Sequence, residues 1–163
     1  MRTSILSVAA TAAALVLFGA PALAQNLPGT PGPDHLVGTG SADQIHGGKG
    51  ADVLEGRGGR DLLDGGAGPD VLVGGTGGDF FRGGRGADVV RGGPGNDQLE
   101  TIQGRDQVFM GPGNDSLSFL TDDGKRAVID CGSGHDVVNY LGAIDTADVI
   151  RADCEDVNAN TSD

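Results

Sequence analysis

Ten aspartates recur at intervals of nine residues: Asp34, Asp43, Asp52, Asp61, Asp70, Asp79, Asp88, Asp97, Asp106 and Asp115. Carboxylates at fixed spacing suit one kind of chemistry above others, the binding of a hard cation through oxygen. If two nine-residue units make one coil, residues eighteen apart, such as Asp52 with Asp70 or Asp61 with Asp79, lie one above the other on the same edge. Stacked carboxylates repel one another. A divalent ion such as Ca²⁺, which takes six or more oxygens, would resolve that repulsion with aspartate oxygens and glycine-loop carbonyls as ligands. Every aspartate from Asp34 to Asp97 has a counterpart eighteen residues on, so the pairs allow up to eight inter-coil sites.

Other chemistries find less support. A zinc protease needs His-Glu-x-x-His or a comparable cluster, and His35, His46 and His135 stand at variable repeat positions with no glutamate in that spacing. Ser133 sits in Gly-Ser-Gly-His-Asp, which is not the Gly-x-Ser-x-Gly of a nucleophile elbow. A phosphate loop requires Gly-Lys-Ser/Thr, and Lys49 is followed by Gly50. Arg57, Arg60, Arg82, Arg85 and Arg91 are interspersed with aspartate and read as a solvated mixed-charge face. The expectation is a protein that is not an enzyme.

The elements that would position the aspartates follow from the same period. From Gly29 the chain reads GTPGPDHLV, GTGSADQIH, GGKGADVLE, GRGGRDLLD, GGAGPDVLV, GGTGGDFFR, GGRGADVVR, GGPGNDQLE, TIQGRDQVF and MGPGNDSLS, with no insertion to Ser118. Position eight is apolar in every unit, from Leu36 and Ile45 to Val108 and Leu117. The Gly-Gly-x-Gly arm tolerates positive φ and leaves carbonyls uncovered, while the x-apolar-x run points one side chain inward and its neighbours outward. Each unit is thus half a coil. Stacked coils give an all-β parallel β-roll, a solenoid of two facing parallel sheets over a thin apolar core. After Ser118 the register breaks, then partly returns three residues out of phase at Cys131-Gly-Ser-Gly-His-Asp-Val-Val. Residues 119–163 read as an irregular C-terminal capping segment with a frayed tail, in which Val137-Val138 and Val149-Ile150 would extend the sheets.

Composition limits partners and compartment. The 163 residues include 31 glycines and 4% aromatics, poor material for an ordinary packed core. The net charge of −12 argues against nucleic acid or anionic lipid as partner. Residues 1–24 read as a Sec-type signal peptide: Arg2, an apolar run from Ile5 to Phe18, and Ala22-Leu23-Ala24 before cleavage near Gln25. The run is short for a bilayer span, so the expected product is secreted, without membrane insertion, and one unit more acidic. In an exported chain two cysteines favour a disulfide, here Cys131 to Cys154, with two free thiols as the alternative. Residues 25–118 then form the roll, with its repeats over 29–118.

The nonapeptides resemble those of the RTX (repeats-in-toxin, haemolysin-type) proteins, over about 90 of the 163 residues. That resemblance implies a parallel β-roll and Ca²⁺ held by the ten aspartates. Its motif is complete at Asp52, Asp70, Asp79, Asp88 and Asp97; the units starting at Gly29, Gly38, Gly56, Thr101 and Met110 lack a glycine or more. The chain looks most like the small stand-alone secreted members, with the repeats behind a leader rather than behind a large effector domain. The expected role is Ca²⁺-coupled folding of an extracellular structural, adhesive or ion-sequestering module, monomeric, with a cell-surface or matrix partner conceivable. The competing class is the detached repeat part of a toxin or secreted hydrolase system, with no catalytic residues of its own.

Overall fold

The computed structural model of the protein describes residues 23–119, 125–140 and 147–159. The expected signal sequence up to Ala22, most of the register break after Ser118, Asp145 and the last four residues lie outside them. Among the described residues there is no helix, and fifteen strands follow one another. They are β1 (Asn26–Pro28), β2 (His35–Val37), β3 (Gln44–Lys49), β4 (Val53–Gly58), β5 (Leu62–Ala67), β6 (Val71–Thr76), β7 (Phe80–Gly86) and β8 (Val89–Arg91). The chain continues with β9 (Gln98–Gly104), β10 (Gln107–Pro112), β11 (Ser116–Phe119), β12 (Val128–Ser133), β13 (Val137–Tyr140), β14 (Val149–Ile150) and β15 (Asp156–Ala159).

Odd-numbered strands from β1 to β15 form one eight-stranded sheet, and even-numbered strands from β2 to β14 a seven-stranded one. All pairings are parallel, and through the repeats residues pair with those eighteen further on, as Ile45 with Leu63 and Leu54 with Leu72, except at an irregularity between β7 and β9 where Arg82 pairs with Thr101. Consecutive units therefore alternate between sheets, and two units close a coil. The molecule is the parallel β-roll that the period predicts, about seven coils long.

Burial follows the unit. Position eight supplies the core column: Ile45, Leu54, Leu63, Leu72, Phe81, Val90, Leu99, Val108 and Leu117 are at most 1% exposed. Their neighbours at positions seven and nine face outward. On that outer surface Arg82 pairs with Glu100 at 2.5 Å, and Arg91 lies over the Phe109 ring, 5.7 Å from its centroid. This is the mixed-charge, partly apolar exterior of a sheet stacked in register.

Beyond Ser118 the roll goes on in both sheets. β12 pairs with β10 and β13 with β11 at an offset of twenty-one, while β15 joins β13 at nineteen. Extra residues are absorbed between strands, so Ile129 and Val138 continue the core column. Met110 and Cys131, which stand where earlier units have their first glycine, turn inward and thicken this end of the core. Cys131 is bonded to Cys154, with Cα atoms 5.2 Å apart, tying the segment before β15 back to β12. A crosslink closing about this many residues contributes roughly 3 kcal/mol by restricting the unfolded chain.

Two measurements test this arrangement. Leu72→Ala is expected to lower unfolding free energy by about 2–5 kcal/mol in urea denaturation, because coils on both sides hold the cavity open. Peptide mapping of unreduced protein should recover Cys131 and Cys154 in one crosslinked pair, and free thiols or an intermolecular dimer would contradict it.

Candidate metal centre

Position six of each unit closes the glycine-rich turn, and the roll places those aspartates in two columns along its edges. From Asp43 to Asp115 all are at most 1% exposed. The stacking is more ordered than a row of facing carboxylates. The backbone N–H of each aspartate donates to Oδ1 of the aspartate one coil on: Asp34 to Asp52, Asp52 to Asp70, Asp70 to Asp88, Asp79 to Asp97 and Asp97 to Asp115, at 2.7–2.9 Å. Asp43 to Asp61, Asp61 to Asp79 and Asp88 to Asp106 repeat this geometry. One oxygen of each carboxylate thus stitches neighbouring coils together.

The second oxygen has no such use. At Asp52, Asp61, Asp70, Asp79, Asp88, Asp97 and Asp115, Oδ2 is buried with no hydrogen-bond partner. An unsatisfied buried carboxylate oxygen is costly, and a cation removes that cost. The space beside it is shaped by the first glycine of the unit. A Cβ on Gly47 would fall 2.5 Å from Asp52 Oδ2 and 2.8 Å from the Gly65 carbonyl oxygen; one on Gly65 would fall 2.6 Å from Asp70 Oδ2 and 2.8 Å from the Gly83 carbonyl oxygen. Only a residue without Cβ leaves these two oxygens their common gap. Among the described residues no three His, Cys, Asp or Glu side chains gather as a metal set, so a cation on the ladder must draw on backbone carbonyls. That donor mixture suits Ca²⁺.

Electrostatics agree with the geometry. Burial, aided by carboxylates in adjoining coils, pushes Asp61, Asp70, Asp88 and Asp115 up to about 6 and Asp97 up to about 7. Burial also raises Asp79, and the backbone N–H bonds only partly offset these shifts.

Incomplete units divide into two kinds. Arg57 stands in place of the second glycine of its unit, yet adopts φ 79°, the single positive φ outside glycine among the described residues, and Asp61 Oδ2 is as bare as its neighbours. In the first two units threonine stands there instead, and the carboxylate is satisfied from within. The Thr39 N–H and hydroxyl donate to Asp43 Oδ2 at 2.5 and 3.0 Å, and those of Thr30 to Asp34 Oδ2 at 2.6 and 3.0 Å.

One ladder member escaped the count of ten. Asp136 is fully buried, its Oδ1 accepts the Asp115 N–H at 2.8 Å, and its Oδ2 is bare. The Gly-His-Asp-Val-Val around it carried the signal, masked by the three-residue phase shift. One coil further, Glu155 Oε2 takes the same place by accepting the Asp136 N–H. His35, His46 and His135 lie outside the columns, each beside one outer carboxylate.

A parallel β-roll with internal carboxylate ladders, edged by glycine turns, defines a calcium-binding nonapeptide-repeat protein. Residues 28–63 and 64–99 match the family model of the RTX calcium-binding nonapeptide repeat, and over that span the roll is built of RTX repeats. No curated protein and no solved structure matches it.

The raised carboxylates give a pH dependence with a definite sign. In the metal-free roll the protonated form is favoured, so their contribution to stability is full below the unfolded value near 3.8 and is lost as pH rises through about 6 to 7. In chelator, far-UV circular dichroism should therefore show more β structure at about pH 5 than at about pH 8.

Proposed function

We propose that this chain is a secreted module whose folding is driven by Ca²⁺, with the ladder aspartates and adjoining glycine carbonyls as ligands. The observation that carries the reading is the series of buried Oδ2 atoms without partners at Asp52, Asp61, Asp70, Asp79, Asp88 and Asp97. At neutral pH such oxygens in an acidic, glycine-rich chain oppose folding through desolvation, self-repulsion and ordering entropy. A cation seated between coils offsets the first two, so its binding free energy becomes folding free energy.

Rungs with a bare Oδ2 and a glycine in first position are the proposed binding places: those of Asp52, Asp61, Asp70, Asp79, Asp88 and Asp97. The remaining sequence-derived ligands, Asp34, Asp43, Asp106 and Asp115, belong to units that lack this combination. The ion count proposed is therefore nearer six than eight.

Export is supported by the leader-like residues 1–24 and by the Cys131–Cys154 bridge, which an oxidising compartment preserves. Calcium is scarce in the cytosol and plentiful outside, so the chain would cross the membrane unfolded and order on arrival. The folded roll would act as a stiff structural or adhesive element, or as an ion store.

Titration of the metal-free protein with Ca²⁺ at neutral pH, followed by far-UV circular dichroism, should show a cooperative gain of β structure. A spectrum already folded in chelator, unchanged by Ca²⁺, would overturn the proposal. Asp70→Asn should raise the Ca²⁺ midpoint, whereas Asp64→Asn, on the outer face, should leave it in place.

A further inference from the structure

The two N-terminal rungs differ from those that follow in a way that glycine content alone does not explain. Asp43 is as buried as Asp52, at 1% exposure, and occupies the same place in the ladder. Its Oδ1 accepts the Gln25 N–H at 2.6 Å, as later Oδ1 atoms accept from the preceding coil. Gly38 leaves the same gap beside it: a Cβ there would fall 2.6 Å from Asp43 Oδ2 and 2.8 Å from the Gly56 carbonyl oxygen. Only the donors to Oδ2 are new, and both come from Thr39.

The unit's second residue accounts for this. In later units it is held in the sheet: Gly75 N–H donates to the Gly92 carbonyl at 2.9 Å, and Gly93 N–H to the Met110 carbonyl at 2.8 Å. Those glycines have φ 109° and 105°, which a β-branched residue strongly resists. Thr30 and Thr39 do not take positive φ. Strands β1 and β2 stop before them, and their N–H and hydroxyl groups turn to the carboxylate four residues on. Being at the end of the roll is not the cause, because the next coil lies alongside: Gly29 N–H reaches the His46 carbonyl and Gly38 N–H that of Glu55.

We propose that Thr30 and Thr39 do for Asp34 and Asp43 what a cation does for later rungs, making the first coil a calcium-independent cap. In units that begin with glycine, the residue in second position decides whether a rung takes an ion. Glycine, or Arg57 at positive φ, leaves the carboxylate bare; threonine fills the place with two donors. A solenoid needs one end whose polar groups are satisfied without a further coil, and these threonines supply it. The inference rests on calcium binding by the ladder, and names which rungs are left out.

Native mass spectrometry of Ca²⁺-saturated protein, with circular dichroism confirming the fold, tests it by ion count. Thr30→Gly with Thr39→Gly, which restores the second glycine, should add two ions, and Thr39→Gly alone one. Arg57→Thr should remove one ion, whichever way the first pair of variants folds. Unchanged counts in the folded threonine variants, or in Arg57→Thr, would overturn the inference while leaving calcium binding intact. A wild-type protein that retains no Ca²⁺ would instead overturn the reading on which it rests.

Discussion

A buried carboxylate with one oxygen engaged and the other bare is the constraint on which the remaining structure depends. Oδ1 of Asp70 or Asp97 bonds the backbone of the preceding coil and so sets the eighteen-residue register of both sheets. Oδ2 lies beside the first glycine of its own unit and faces a carbonyl of the next coil. The same side chain therefore spaces the coils and creates an electrostatic deficit between them. Glycine serves both purposes, since a Cβ would close the gap and a restricted φ would turn the chain out of the sheet.

The apolar core is the weaker partner in this arrangement. One inward side chain per unit, from Ile45 to Leu117, gives each coil two buried residues, and fully burying each contributes about 1.5–3 kcal/mol. Ordering the roughly eighteen residues of a coil costs more than this in backbone entropy. The difference must come from the sheet hydrogen bonds and from whatever satisfies the ladder. The chain provides for its ends separately: threonine donors at the start, and at the finish Met110 and Cys131 turned into the core, with a covalent bond to Cys154. Between those ends the carboxylates from Asp52 to Asp97 each keep one oxygen open.

Much of this was legible in the sequence. A period of nine with Asp at position six and an apolar residue at position eight admits few folds, because each half of the unit has one local geometry and neither can bury itself alone. It specified the two parallel sheets, the core column and the aspartate ladder, and two cysteines behind a leader-like segment pointed to the bridge. Asp136 is less visible there because it stands three residues out of phase with the period of nine, whereas the roll absorbs the extra residues between β11 and β12 without leaving register.

Tertiary structure decided what the aspartates do. The sequence treats Asp43, Asp61 and Asp70 as equivalent, and marks Thr39 and Arg57 alike as missing glycines. In the roll, Arg57 accepts positive φ and leaves Asp61 open, while Thr39 turns two donors onto Asp43 and closes it. A repeat pattern records which side chain occupies a position, and that much the sequence determined by itself. Whether a carboxylate oxygen meets a donor or an empty gap depends on backbone dihedrals and on the coil beside it, which exist only once the coils have stacked.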